Sequence, residues 1–465
     1  MFYNSKNAYE IFNSEKEREM LDFCEEYKDF LSNVKTEREA VRYTVETARA
    51  FGFENIEKKS RLKKGDKVYC VNKKRSVIFA VIGDEPVESG ISVIAAHIDA
   101  PRIDIKQNPL YEADNAALFK THYYGGIKKY QWTAMPLELR GVVFNSKGDR
   151  IDVKIKDPVF TITDLLPHLA QEQMTKKMSE AVKGEDLNLL VGSKPVSEDK
   201  GKCKKTDECE KDKIKANIKR IILEEYSIAE EDFVSAELCL VPAFGASDVG
   251  FDRSMVGGYG QDDRVCSFTA FKALLAAESF KRTAVVILAD KEEVGSMGNT
   301  GMQSSFFENF VAKLCYLTLG IESGISLRNT LENSVCLSAD VGAAVDPTYK
   351  SVSEPLNSAK IGGGVLVTKY TGSRGKGGTS DASAEMVSRI RSMLNSNEIP
   401  WQTGELGKVD QGGGGTVAQF IANLGLEVID CGVPLLSMHS PFEVASKLDI
   451  FAAFLTYKAF LSLSV

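Results

Sequence analysis

The chain has 465 residues, 43% of them hydrophobic and 26% charged, and a formal net charge of −7. That balance fits an ordinary soluble globular protein of two or three domains and argues against a nucleic-acid partner, which would leave a basic surface. No basic start followed by an apolar stretch opens the sequence, and the apolar run 450–465 carries Lys458 and is too short to span a bilayer. No membrane segment is therefore expected, and that run reads as a core-packing helix.

Nine scattered cysteines, an odd number in a large chain, imply reduced thiols in a cytoplasm rather than a disulfide framework. Cys203 and Cys209 are separated by a gap wider than zinc-ribbon spacing, within a stretch (196–213) in which 12 of 18 residues are charged. Such a segment cannot be buried and reads as a mobile solvated loop.

In chain order, residues 14–52 carry helical periodicity. Three strand-like runs follow, at 68–72, 76–83 and 91–96, the last ending on His97. Short continuous apolar runs of this kind suit strands buried on both faces. From residue 103 to 241 the pattern changes to alternating segments, such as 137–144 and 151–155, which predict half-exposed antiparallel strands. After Pro242 the first pattern returns, with buried strands at 283–290, 334–340 and 425–432 between helical segments. The expected fold class is α/β: a discontinuous mixed-sheet domain, 1–102 with 242–465, carrying an inserted, mainly β domain at 103–241.

The chemistry-bearing residues cluster just beyond the buried strands. His97 and Asp99 follow one, Asp290, Glu292 and Glu293 another; Asp340 ends a third, and His439 lies past a fourth. In open α/β sheets ligands bind at the carboxyl ends of strands. Each feature alone has a plainer reading, as a hydrogen-bonded pair, a helix cap or a turn residue. Gathered at one sheet edge, the carboxylates would repel and desolvate one another without a cation. Mixed imidazole nitrogen and carboxylate oxygen suit Zn²⁺, with Co²⁺ or Mn²⁺ as alternatives. Asp99, two residues from His97 on extended backbone, can accept the second imidazole N–H. Of the adjacent Glu292 and Glu293, one is expected to ligate and the other to act as general base. A bridging carboxylate for two ions about 3.5–4 Å apart would come from Asp262 or Asp263, which spacing does not separate.

These motifs together resemble the aspartyl aminopeptidase and vacuolar aminopeptidase I family of co-catalytic zinc peptidases. The likeness runs through residues 97–102, Gln261-Asp-Asp-Arg, Asp290-Lys-Glu-Glu-Val-Gly-Ser, Ser338-Ala-Asp and Leu436-Ser-Met-His-Ser, and covers nearly the whole chain. The resemblance implies that Asp262 bridges two divalent ions. His97 and Asp340 would complete one site and Glu293 and His439 the other, with Glu292 as base and Asp99 orienting His97. It further implies peptide substrates with a free N-terminus and a tetrahedral homododecamer built from dimers through the inserted domain. In that particle the segment 165–170, with His168, would reach a neighbouring active site; without the resemblance His168 reads as a surface residue. His122 has no assigned role.

Two further features bear on specificity, which differs within the family between acidic and neutral first residues. The glycine runs 362–364 and 412–415 suggest backbone brought close to a ligand. Lys369, Arg374 and Lys376 lie near the expected side-chain pocket or in a solvated loop. The rival functions are a two-metal hydrolase acting on a non-peptide substrate and an inactive metal-binding shell protein. Glu292, a carboxylate that no purely structural site needs, speaks against the second.

Overall fold

The computed structural model describes residues 7–196, 212–320 and 323–462. The charged loop and its Cys203 and Cys209 fall outside the described residues. Two compact units are present: Met1–Ala100, Gly245–Met438 and Phe442–Val465 form one, and Pro101–Phe244 with His439–Pro441 the other. The change of sequence pattern puts the breaks at 102/103 and 241/242, close to those bounds. No sequence signal marks the three-residue return of His439–Pro441 to the second unit.

The first unit opens with helices Ser14–Asn33 and Glu37–Ala50, started by the side chains of Asn13 and Thr36, which accept the Lys16 and Glu39 N–H groups. Each buries one stripe, Met20, Cys24, Tyr27 and Leu31 in the first case, at the spacing of a helix half sunk in a core. The nine-stranded sheet runs in the order Glu54–Asn55, Lys67–Asn72, Ser76–Val81, Ala284–Ala289, Ser92–His97, Val335–Ser338, Glu427–Gly432, Val365–Thr368 and Trp401–Thr403. Its middle four strands, from Ala284–Ala289 to Glu427–Gly432, are mutually parallel. Ser76–Val81 and Val365–Thr368 flank them antiparallel.

Successive residues of the central strands feed two separate cores. Val77, Phe79, Ile94 and Ala96 pack on one side, Ile78, Ala80, Val93 and Ala95 on the other. Continuous apolar runs are what a sheet covered on both faces requires. Helices Gln261–Ala276 and Lys447–Ser462 are apolar around most of their circumference and lie in the first core. Lys67–Asn72 departs from the expectation of two buried faces: most of it is partly exposed, because only its inner neighbour Ser76–Val81 is sandwiched.

The second unit is a closed barrel of six strands, Glu237–Pro242, Arg102–Ala113, Ala116–Tyr124, Leu189–Gly192, Arg150–Ile162 and Leu137–Phe144. Its alternation predicts half-exposed strands, yet Glu138 and Arg140 are both fully buried. They stand two residues apart on one face of their strand, and Arg140 Nε donates to Glu138 Oε1 at 2.9 Å. A buried pair of opposite charge lets the polar half of an alternating strand be buried as well.

The glycine run 362–364 serves the fold rather than a ligand. The N–H groups of Gly362 and Gly364 donate to the Asp449 carboxylate at 2.8 and 2.7 Å. Asp449 is wholly buried on helix Lys447–Ser462, and burial, opposed by those two N–H donors, pushes its pKa up to about 8. A Cβ on Gly364 would lie 2.2 Å from the Pro400 carbonyl oxygen, and its φ is +88°. Both the contact and the backbone require glycine there.

Candidate active site

The carboxyl ends of the parallel strands converge on one edge of the sheet. His97 is the last residue of its strand, Asp290 follows Ala284–Ala289 directly, and Asp340 comes two residues after Val335–Ser338. A second, five-stranded sheet fixes what faces them. Its strand Met255–Gly258 leads into Asp262, and Gly342–Ala343 leaves from Asp340. Glu443, on a third strand of that sheet, accepts the Asp262 N–H at 3.2 Å.

Gly260, at φ +72°, turns the chain into helix Gln261–Ala276, and a Cβ there would meet the Arg264 guanidinium at 1.7 Å. Gln261 Nε2 donates to the Val256 and Glu443 carbonyls, while Asp262 and Asp263 themselves keep non-helical backbone angles. Asp262 thus points out of the helix start instead of joining its hydrogen-bond ladder.

His97 is 1% exposed and its two ring nitrogens face different partners. Nδ1 lies 3.1 Å from the Asp99 carbonyl oxygen and 3.4 Å from Asp99 Oδ1. Nε2 lies 3.2 Å from Asp262 Oδ1, 3.8 Å from Asp340 Oδ1 and 3.9 Å from Glu292 Oε2. Asp99 also does something that spacing could not reveal. Its carboxylate accepts the backbone N–H groups of Glu292 at 3.1 Å and Glu293 at 3.3 Å. Those glutamates occupy one tight turn, Glu292–Val294, entered through Lys291 and left through Gly295, both left-handed. Extended backbone is the expectation from sequence; the turn separates their side chains instead. Asp263 turns away from Asp262, and its Oδ2 accepts the His97 backbone N–H at 3.3 Å.

The electrostatics of this edge follow from crowding acids in a dry place. Burial raises the pKa of Asp340 well above the carboxylate range, and the neighbouring Asp263, Glu292 and Asp262 raise it further. Burial raises Asp263 likewise. Burial disfavours the His97 cation, but Asp262 and Asp99 outweigh it and hold its pKa well above the ordinary value. This unbalanced negative charge is what a cation would neutralise. Ligand atoms of His97, Asp262 and Asp340 lie within 4.8 Å of one another, and oxygens of Asp262 and Glu293 are equally close. One nitrogen and several carboxylate oxygens in that space fit zinc.

His439 sits in the second unit, at φ +64°, with Nδ1 2.8 Å from the Gly126 carbonyl oxygen. His168 is exposed in the one-turn helix Pro167–Leu169, and His122 is exposed with Nδ1 2.8 Å from its neighbour's carbonyl. Lys369 and Lys376 both pair with Asp381 at 2.9 Å, while Arg374 is exposed. Of the functional surroundings, sequence reasoning missed Glu443, since nothing in its spacing distinguishes a backbone-holding carboxylate from an ordinary strand residue.

A family model described as "Aminopeptidase I zinc metalloprotease (M18)" matches residues 30–461. The chain belongs to the M18 family. It is 50% identical to a probable M18 family aminopeptidase 1 of Clostridium acetobutylicum, over 98% of both chains. The crystal structure of an M18 aminopeptidase from Thermotoga maritima superposes with a TM-score of 0.94 at 44% identity, covering 99% of this chain and 100% of that one. Aminopeptidase I from Clostridium acetobutylicum gives 0.92 at 47% identity, with both chains fully covered. A more distant structure, the mApe1 dodecamer of S. cerevisiae, shares the fold at a TM-score of 0.75 and 21% identity. This M18 enzyme is therefore a zinc-dependent aminopeptidase, a hydrolase, and its mixed α/β sheet is the catalytic fold of the family. Among the described residues, no single helix of the M18 chain is long and apolar enough to cross a membrane.

Proposed function

We propose that this M18 enzyme removes the first residue of peptides at a two-ion centre, with Glu292 as general base. The observation that carries the reading is Asp262, whose carboxylate belongs both to the set with His97 and Asp340 and to a set with Glu293. His439 would complete the second set. Its Nδ1 donates to Gly126, so the neutral ring presents Nε2 as the ligand nitrogen. Divalent ions held there, Zn²⁺ by the family and Co²⁺ or Mn²⁺ as replacements, would supply Lewis-acid stabilisation of the developing oxyanion.

The chain's own residues do the rest. Glu292 Oε2 takes a proton from water as the water oxygen attacks the first peptide carbonyl. It then delivers that proton to the leaving nitrogen as the C–N bond breaks, releasing the first amino acid and the shortened peptide. Asp99 keeps His97 and the Glu292–Val294 turn in register by bonding both. The preferred first residue is acidic or neutral, and the work is cytoplasmic.

The test is a panel of peptides with free and acetylated amino termini, assayed with and without a chelator. Release of the first residue from free peptides alone, abolished by chelation and restored by zinc, is expected. Cleavage of acetylated peptides at comparable rates would overturn the aminopeptidase reading.

The second part of the reading is assembly into a tetrahedral homododecamer built from dimers; the distant mApe1 of S. cerevisiae is itself a dodecamer. Leu165, Leu166 and Leu169 are 47, 49 and 67% exposed around His168, an apolar patch suited to contact with another copy. His168 would there donate to the substrate carbonyl oxygen of a neighbour, a contact worth about 10²–10³-fold in turnover. His168→Ala should keep its zinc and particle size yet lose that factor, and mixing it with Glu292→Gln chains should restore part of the activity. Absence of restoration in verified mixed particles would confine His168 to its own chain.

A further inference from the structure

The turn that carries Glu292 and Glu293 is held from two directions. Asp99 grips it at the backbone, as described. On the other side stands Asp290, fully buried at the end of strand Ala284–Ala289, two residues before Glu292. Its Oδ2 accepts Arg75 Nε at 3.0 Å and Thr300 Oγ1 at 2.6 Å. Arg75 in turn meets Glu37 Oε1 at 2.9 Å, and Glu37 is 5% exposed at the start of helix Glu37–Ala50.

The loop after the turn is tied to the hairpin of strands Lys67–Asn72 and Ser76–Val81, whose connection carries Arg75. Asn72 Nδ2 donates to the Asn299 carbonyl at 2.7 Å. Ser296 N–H closes on the Lys291 carbonyl at 2.7 Å, and Gln303 Nε2 on that of Gly295 at 2.8 Å. Glu37, Arg75 and Asp290 thus form a charge chain, its two carboxylates buried and Arg75 partly so, linking helix Glu37–Ala50 to the loop of the glutamates.

We propose that Asp290, gripped by Arg75 and Thr300 with Glu37 fixing Arg75, is a positioning residue that sets where Glu292 presents its carboxylate. This rests on Glu292 being the base. Charge-assisted bonds in a water-poor site hold geometry more stiffly than neutral ones. A largely covered arginine held between two buried carboxylates cannot leave without stranding their charges. Between Asp290 and Glu292 stands only Lys291, at φ +67°, so a displaced Asp290 displaces the turn. Displacement of a catalytic group by about 1 Å can cost on the order of 10²-fold in rate. A side chain that never touches substrate can therefore control turnover.

The test uses the full-length, zinc-loaded enzyme and the variants Thr300→Val, Arg75→Gln and Arg75→Lys. Thr300→Val removes one hydrogen bond with almost no change of shape, so it decides the matter if Arg75→Gln fails to fold. The readouts are kcat and KM on an aminoacyl p-nitroanilide, zinc per chain, Tm, and hydrogen exchange of amides 291–296. Thr300→Val and Arg75→Gln should lower kcat by about 10-fold or more. KM and zinc content should stay at parental values, exchange in the turn should quicken, and Arg75→Lys should recover most of the loss. Unchanged kcat in folded Thr300→Val overturns the proposal, as does an Arg75→Lys no better than Arg75→Gln or a loss of kcat that merely tracks lost zinc. Glu292→Gln in the same assay separates the two readings. If it is fully active the base assignment falls, whereas an inactive Glu292→Gln beside a fully active Thr300→Val overturns the positioning alone.

Discussion

Replacing Glu292 by Gln is expected to leave zinc content and KM at parental values while lowering kcat by about 10²–10⁴-fold, the usual range for a lost general base. The geometry explains why the effect should be so clean. Asp99 holds Glu292 through its backbone N–H and not through its side chain. The turn therefore keeps its shape when the carboxylate becomes an amide of the same size. Glu292 Oε2 stands 3.9 Å from His97 Nε2, beside the cluster of His97, Asp262 and Asp340. A glutamine there cannot take a proton at neutral pH. Elemental analysis of the purified variant decides the assignment: loss of ions would make Glu292 a ligand and place the base elsewhere.

Asp262→Asn is expected to strip zinc from the protein altogether and to abolish turnover, because one side chain contributes to both donor sets. An amide has a single neutral oxygen and cannot serve two cations. Asp263→Asn should behave differently although it is the adjacent residue and more deeply buried. Its Oδ2 accepts the His97 backbone N–H, a bond that an asparagine oxygen can still accept. Loss there should amount to about 10–100-fold in metal affinity at most, the cost typical of a disturbed supporting contact. Zinc per chain, measured side by side in the two variants, checks the difference. Retained zinc in Asp262→Asn with loss in Asp263→Asn would exchange their roles.

Much of this was legible in the residues because the sheet is buried on both faces. A strand such as 92–97 must then be continuously apolar, so a histidine or carboxylate at its end stands out sharply. His97, the acids after Asp290, and Asp340 were visible for that reason, and the periodicity of helices Ser14–Asn33 and Glu37–Ala50 was equally plain. The barrel was legible as strands, and 151–155 keeps the half-exposed alternation, but 137–144 is buried on both faces. Alternation marks two faces without saying which is wet, and Glu138 and Arg140 are buried as a pair. The glycine run at 362–364 misled in the same way, since glycine signals close approach but not what approaches. In this chain it is the buried carboxylate of Asp449.

The residue types of the site, their order along the chain and the strands that carry them follow from the sequence alone, since periodicity and strand ends are local properties. So does the family, through five motifs in order. Which of Asp262 and Asp263 faces His97 Nε2 emerges only in the folded chain, because both occupy one helix start and differ only in direction. The fold alone shows Asp99 bonding His97 and the Glu292–Val294 turn together, and Arg75 joining Glu37 to Asp290 across more than two hundred residues. Such contacts are made by side chains that meet only when the sheet is assembled. Sequence spacing records neighbours along the chain, and hydrogen bonds between distant elements leave no trace in it.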